Sequence, residues 1–133
     1  MKVINQHELN RTINMQTKFK DIAQYYLGTG LVIRHNDGDD LIMNATGSGS
    51  NFISIDDIEE YGKPLLRSLD SLTKPITVKG YNDGKEFVPL DEIQQYDINA
   101  ENILLQQFWI VNRLLQWHFN VFNLPETEYI KID

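Results

Sequence analysis

The stretch ILLQQFWIVNRLLQWHFNVFNL, residues 103–124, is the longest apolar segment of the chain. At the 100° per residue of an α-helix, its apolar side chains form two adjoining stripes that cover more than half of the helix circumference. The spacing therefore predicts one long C-terminal helix that packs its apolar arc into the core. The stripes consist of Leu104, Phe108, Val111, Leu115 and Phe122, and of Ile103, Ile110, Leu114, Trp117 and Val121.

The opposite arc of this predicted helix carries amides, one arginine and a tryptophan, instead of the Glu and Lys that usually cover a solvated helix. A helix that is apolar most of the way round is usually enclosed by the rest of the fold. The alternative is that this arc contacts a partner protein or a second copy of the chain, since Trp and Arg are enriched at binding hot spots. The candidate partner-binding residues are Trp109, Arg113, Gln106, Gln116 and Asn120.

Composition limits the classes of protein to which the chain can belong. Its 133 residues suffice for a single domain over residues 1–133, with residues 1–14 typical of an N-terminal arm. The net charge of −7 disfavours direct nucleic-acid binding, which requires clustered cations. No cysteine is present, residues 1–14 lack the apolar core of a signal peptide, and Arg113 and His118 disfavour a membrane span. A cytoplasmic protein without membrane contact is expected.

Shorter patterns predict the remaining elements. A first helix is expected from residue 16 to 27, a hairpin from residues 31–34 and 39–45, and a strand over residues 51–55. Ser54 and the acids at 56–60 favour a short helix that ends at Gly62. Residues 64–72 are interpreted as a helix or an irregular segment, residues 76–80 and 86–89 as a second hairpin, and residues 128–133 as an edge strand. The predicted class is α+β, with an antiparallel sheet built from hairpins and the long C-terminal helix packed across one face.

Few residues carry recognisable chemistry. The loop of Thr46, Gly47, Ser48, Gly49 and Ser50 could wrap a small anion or nucleotide with its backbone N–H groups, although ordinary linkers have the same composition. His35 lies beside several aspartates, but the spacing matches neither a calcium loop nor a zinc site, and a polar turn explains it. No catalytic motif occurs. The sequence therefore predicts no catalytic residue, no metal and no cofactor, and an enzyme is disfavoured.

Three segments carry a resemblance to known proteins. KPLLRSLDSLTKPI at residues 63–76, GKEFVPLDEI at residues 84–93 and LLQWHFNVF at residues 114–122 resemble an uncharacterised group of small proteins encoded by bacteriophages and prophages. The typical segments of that group are KPILRPLSDLTKEI, GEKFVPI and WHFDVFGL. This chain departs by having Ser68 where proline is usual. The resemblance implies action inside an infected bacterium, in the host cytoplasm, and implies no catalytic residue.

Three functions are expected in descending order. The first is a small acidic phage accessory protein that acts by binding and inhibits a host or anti-phage defence protein. The second is a protein that sequesters a nucleotide-like signal with the loop at residues 46–50. The third is a hydrolase of such a signal. The uncharged arc around Trp109 also favours self-association into a homo-oligomer.

Overall fold

The computed structural model describes residues 17–132, so the predicted arm at residues 1–14 lies outside the described part. The chain is α+β, with four short α-helices and a five-stranded sheet among these residues. The helices are α1 (Phe19–Ile22), α2 (Ile58–Tyr61), α3 (Pro89–Ile93) and α4 (Phe108–Gln116). The strands are β1 (Val32–His35), β2 (Asp40–Asn44), β3 (Phe52–Ser54), β4 (Gly62–Arg67) and β5 (Ile130–Ile132). Short 3-10 segments occupy Ala23–Tyr26, Ile55–Asp57, Leu69–Thr73, Asn82–Gly84, Ile103–Leu105 and Glu126–Glu128.

The sheet has the strand order β3-β2-β1-β4-β5 and is mixed. β1 pairs antiparallel with β2 and with β4, whereas β3 runs parallel to β2 and β5 runs parallel to β4. The predicted first hairpin and the predicted edge strand in the tail are confirmed. The prediction of an antiparallel sheet is wrong, because residues 45–51 double back beside β2 so that β3 enters the sheet in the same direction as β2.

β4 is an interior strand of the sheet that the sequence did not identify, with β1 on one side and β5 on the other. Residues 64–67 are all buried, which shows that the strand is covered on both faces. A strand buried on both faces has no alternation of apolar and polar residues, so its leucines resemble a helical or irregular segment. Gly62 begins the strand, and a β-carbon there would lie 2.8 Å from the Arg34 carbonyl oxygen, so only glycine allows β1 this close.

The predicted short helix after Ser54 is present in the structure, whereas most of the predicted second hairpin is not. The helix predicted after Ser54 is confirmed, since the Ser54 side chain accepts a hydrogen bond from the Asp56 N–H and α2 ends at Gly62. The second hairpin is reduced to a single antiparallel bridge, in which Ile76 and Phe87 exchange backbone hydrogen bonds of 2.8 and 2.9 Å.

The long C-terminal helix is a wrong prediction, because α4 has only nine residues, Phe108–Gln116. Gln106 and Gln107 have extended backbone, with ψ of 163° and 146°, and separate α4 from the 3-10 turn Ile103–Leu105. At the other end, His118 adopts a left-handed φ of 62°. The His118 N–H donates to the Leu115 carbonyl and the Phe119 N–H to the Leu114 carbonyl, which is the Schellman arrangement that closes a helix.

The chain beyond α4 crosses to the sheet. Phe119 forms a parallel bridge with Arg67, in which the Arg67 N–H donates to the His118 carbonyl and the Asn120 N–H donates to the Arg67 carbonyl, both at 2.8 Å. The buried Asn120 side chain then bonds both the N–H and the carbonyl of Leu124, which fixes the next turn. These bonds replace the helical bonds that the periodicity predicted for residues 117–124.

One apolar core lies between the sheet and the surrounding segments. α4 contributes Ile110, Leu114 and Leu115 to it, and the large side chains of Tyr26, Trp117 and Phe119 are fully buried at its centre. The Tyr26 hydroxyl donates to the Phe119 carbonyl and accepts from the Val121 N–H, and burial raises the pKa of Tyr26. Within residues 17–132, no helix is long and apolar enough to cross a membrane.

The position of His118 predicts a pH dependence of stability. Burial lowers the pKa of His118, while the hydrogen bond to the Thr29 carbonyl raises it and the Arg67 charge lowers it. The unfolded chain therefore binds a proton below about pH 6.5 that the folded chain does not, so stability is complete above that pH and decreases as pH falls below it. The melting temperature of the wild type is expected to fall between about pH 7 and about pH 5 by more than that of His118→Asn.

Asparagine is the matched replacement, because it accepts positive φ and does not titrate. Asp37 and Asp40 do not interfere, since interactions with neighbouring groups lower the pKa of each below 3.8. The same pH response in both proteins would show that His118 is not its origin.

Candidate functional site

Four exposed apolar side chains, including the two most exposed of the described chain, lie close together in sequence at and just before the start of α4. Leu105 is 84% exposed, Phe108 82%, Leu104 53% and Trp109 52%. We call these four residues the apolar surface. Monomeric proteins rarely expose several large apolar side chains in one place, and such patches mark binding sites. The apolar surface is therefore the strongest candidate for a functional site.

The backbone explains why these side chains face solvent. Ile103 is buried and anchors the 3-10 turn, so the next two leucines are carried outward. Because Gln106 and Gln107 are extended, α4 begins with a different orientation from the one that a continuous helix would have. It therefore buries Ile110, Leu114 and Leu115 and leaves Phe108 exposed. The assignment of Leu104 and Phe108 to the buried stripe is therefore wrong. It assumed one unbroken helix from residue 103.

Arg113 does not lie against Trp109. Its guanidinium carbon is 5.3 Å from the centroid of the Tyr81 ring and 5.9 Å from that of Trp117, which places the charge over a cluster of aromatic rings. The Tyr81 hydroxyl in turn donates to a Glu92 carboxylate oxygen at 2.6 Å. The Trp109 indole N–H instead donates to the Gln107 side chain at 2.8 Å. Arg113 thus has a structural role in the fold.

The predicted amide residues are distributed between surface and interior. Gln116 is exposed, and Gln106 is half-buried, with its amide 3.4 Å from the Asn102 carbonyl oxygen. Asn120 is buried and bonded to Leu124, so it does not lie on an accessible surface. Of the five predicted partner-binding residues, Trp109 is the one that belongs to the apolar surface. Leu104, Leu105 and Phe108 were missed as surface residues.

The predicted ligand loop, Thr46 to Ser50, is held by its own side chains. The Gly47 N–H donates to the Asn44 side-chain oxygen, and the Ser48 N–H donates to the Thr46 hydroxyl at 3.3 Å. Gly49 has φ of 113°, and a β-carbon there would lie 2.5 Å from the Phe52 ring, so the ring packs directly on the loop backbone. Two of the N–H groups that an anion would need are therefore already occupied.

Thr46 and Gly47 nevertheless line an open cavity of about 240 Å³ together with side chains from β1, β3 and α2. His35 is at its wall, stacked on Tyr61 with ring centroids 6.1 Å apart and an interplanar angle of 2°. The imidazole Nδ1 also lies 3.0 Å from an Asp37 carboxylate oxygen. No group of three His, Cys, Asp or Glu residues that could hold a metal ion occurs within residues 17–132.

Comparisons of the chain with models of known protein families, with curated proteins and with solved structures find no match.

Proposed function

We propose that the chain is a binding protein that uses the apolar surface to contact a partner protein. The observation that carries this proposal is the exposure of Leu105 and Phe108, each more than four-fifths accessible. Burying an exposed leucine or phenylalanine in an interface contributes about 1.5–3 kcal/mol per side chain to the free energy of binding. The same side chains do not stabilise the isolated chain, because they remain in water. Trp109 adds a residue type that dominates binding hot spots.

The partner that this surface fits is a protein with an apolar groove and a basic rim. The chain has 19 acidic residues against 12 Lys and Arg, so its overall field attracts a positively charged surface and accelerates the encounter. Between residues 104 and 112 the sequence has no charged side chain. The basic rim of the partner would thus contact acidic residues around the apolar surface, while the apolar groove of the partner would bind the four apolar side chains.

The resemblance of residues 63–76, 84–93 and 114–122 to small phage proteins supports a setting for this binding. In an infected bacterium, a small protein without catalytic groups acts by occupying a surface that a larger protein needs. We propose a host or anti-phage defence protein as the target, and inhibition as the consequence. The same resemblance supports the host cytoplasm as the compartment.

Phe108→Ser tests the proposal. Truncation of a central aromatic contact costs about 2 kcal/mol or more, so the affinity for the partner is expected to fall by about thirtyfold or more. The melting temperature is expected to stay unchanged, because Phe108 is largely exposed. Partners recovered from lysate of the infected host would be purified, and their dissociation constants measured with both proteins.

Ile42→Ser is the matched control, since Ile42 is also an exposed apolar residue but lies on β2, outside both the apolar surface and the cavity beside Thr46 and Gly47. A partner that binds both variants as tightly as the wild type would overturn the proposal. Light scattering tests whether the apolar surface instead binds a second copy of the chain. If the wild type is a dimer and Phe108→Ser is a monomer, the apolar surface mediates self-association and does not bind a different protein.

Small-molecule binding is the second candidate function, and the observation that favours it is the cavity beside Thr46 and Gly47. The N–H groups of Gly47 and Ser48 already donate to side chains of Asn44 and Thr46, so they favour recognition by side chains over wrapping of an anion by the loop backbone. A ligand at this position would have to be recognised by the side chains of the cavity. A hydrolase of a nucleotide signal ranks below both, since no catalytic motif accompanies the cavity.

A further inference from the structure

The cavity beside the loop has a composition that selects one class of ligand. The residues that line it comprise three with rings, two aliphatic residues, two with hydroxyl groups, one glycine and one acid: Phe52, Tyr61 and His35, Leu41 and Ile53, Thr46 and Ser54, Gly47, and Asp57. Phe52 and Tyr61 are both exposed rather than buried in the core, so their rings are accessible to a bound molecule. The cavity shares no residue with the apolar surface, so a ligand in the cavity is independent of the partner protein proposed for that surface.

The carboxylate of Asp57 is the unbalanced charge at this cavity. Asp57 is the one acid among the described residues that line the cavity. Outside the lining, Arg34 pairs with Asp40 at 3.0 Å and Lys20 with Glu59 at 3.2 Å, so these two cations are already engaged. Asp57 has no hydrogen bond or ion pair from its side chain to any residue between 17 and 132. A ligand cation would therefore find a free counter-charge.

Anionic ligands are disfavoured at the same place. Among the described residues, the cavity wall contains neither lysine nor arginine. The backbone N–H groups of Gly47 and Ser48, which could have replaced such cations, already donate to side chains of the loop. A phosphate would thus meet the Asp57 carboxylate without compensation, and like charges repel.

Cations are favoured by the rings as well as by the carboxylate. The face of an aromatic ring carries partial negative charge, so it attracts an ammonium group that is held near it. Rings beside a carboxylate are the usual elements of sites for organic ammonium groups. A cavity of about 240 Å³ is large enough for an ammonium group and part of its alkyl chain, and its open side lets the remainder of the molecule extend into solvent.

We infer that this cavity binds an organic ammonium group, with Asp57 as its counter-charge and Phe52 and Tyr61 as its aromatic walls. The ammonium group has two sources, a free polyamine or a lysine side chain on a peptide. The role of the hairpin turn is then to position His35, whose ring stacks on Tyr61 and holds that ring at the wall.

Calorimetric titration with spermidine, with N-acetyl-lysine amide and with AMP tests this inference. Both amines are expected to bind, and the tighter of the two identifies the source; AMP is expected not to bind. Asp57→Asn is expected to weaken amine binding by about tenfold or more, because a hydrogen bond to a charged group contributes about 1.5–3 kcal/mol. Tyr61→Leu keeps an apolar side chain without the ring and is expected to weaken it several-fold.

Asp56→Asn is the matched control, because it removes the same charge from the neighbouring residue, which does not line the cavity. Amine binding retained in Asp56→Asn and lost in Asp57→Asn supports the inference. Equal weakening in both variants would show attraction by general acidity alone and overturn it, as would tighter binding of AMP or no binding of either amine at millimolar concentration. If Asp57→Asn does not fold, Tyr61→Leu and Phe52→Leu decide, and unchanged amine binding in both overturns the inference.

Discussion

Trp117→Ala is expected to lower the free energy of unfolding by about 3–5 kcal/mol, whereas Trp109→Ala is expected to change it by less than about 0.5 kcal/mol. The two tryptophans lie eight positions apart in sequence, but Trp117 is only 1% exposed and Trp109 is 52% exposed. Trp117 packs against Phe87 and Tyr81, with ring centroids 4.8 and 5.2 Å apart, so its loss leaves a cavity between the rings. Urea denaturation followed by circular dichroism measures both values.

The comparison of the two variants is internally controlled, because the chemical change is the same in each. The indole N–H of Trp117 has no hydrogen-bond partner among the described residues, so its removal carries no additional hydrogen-bond penalty. The expected loss therefore arises from packing and from the contact of the Trp117 ring with the Arg113 guanidinium. Equal effects at the two positions would contradict the opposite environments of the two side chains.

Arg67→Ala is expected to lower the free energy of unfolding by about 2–4 kcal/mol, which is the second largest effect. The buried guanidinium donates to the Trp117 carbonyl, at the end of α4, and at 2.8 Å to the Thr77 carbonyl. Alanine leaves these two carbonyls without their donors, and each unsatisfied buried carbonyl costs about 1–3 kcal/mol. Burial lowers the pKa of Arg67, which shows the cost of keeping this charge inside the fold.

Two further variants separate hydrogen bonding from charge. Arg67→Lys keeps the charge but lacks the planar fork that reaches two carbonyls, so it is expected to be intermediate. Arg34→Ala removes an exposed arginine that pairs with Asp40 and is expected to change stability little. Denaturation midpoints of Arg67→Ala and Arg34→Ala that coincide would contradict the role assigned to Arg67.

The sequence predicted the elements whose signals are local. The β1–β2 hairpin depends on the turn residues Asn36 to Gly38, and α2 depends on the cap at Ser54 and the stop at Gly62, and each appears at its predicted place. β4 could not be predicted in the same way, because its strand pairing is with residues distant in sequence. Residues 64–67 are also buried on both faces of the sheet, so β4 has no alternation of apolar and polar residues that could be recognised locally.

The short length of α4 could not be predicted because the end of this helix also depends on a contact with a distant segment. Helical periodicity at residues 103–124 is strong, but the helix ends where His118 adopts positive φ and bonds the Thr29 carbonyl at 2.8 Å. That bond requires a segment almost ninety residues earlier in the chain, as the spacing of His118 and Thr29 shows. Tertiary contacts of this kind override helix propensity, and the local sequence does not indicate them.

The candidate sites were predicted in part. Trp109 was selected for its unusual place among amides, and its exposure agrees with a binding role. Leu104, Leu105 and Phe108 were assigned to the core or passed over, because the break at Gln106 and Gln107 rotates them outward and amides give no local signal of a break. Asp57 and Tyr61 were interpreted only as helix residues, since the cavity that unites them with Phe52 exists only after β3 has paired with β2.

The parallel pairing of β4 with β5 also has a consequence for the order in which the chain acquires its structure. Leu65 pairs with Ile130, so one edge of β4 stays unpaired until the residues around position 130 have left the ribosome. Contacts this distant in sequence form late and slow folding, because the loop between them must close first. An unpaired strand edge can pair with another chain, so β4 is expected to be prone to aggregation until β5 has docked.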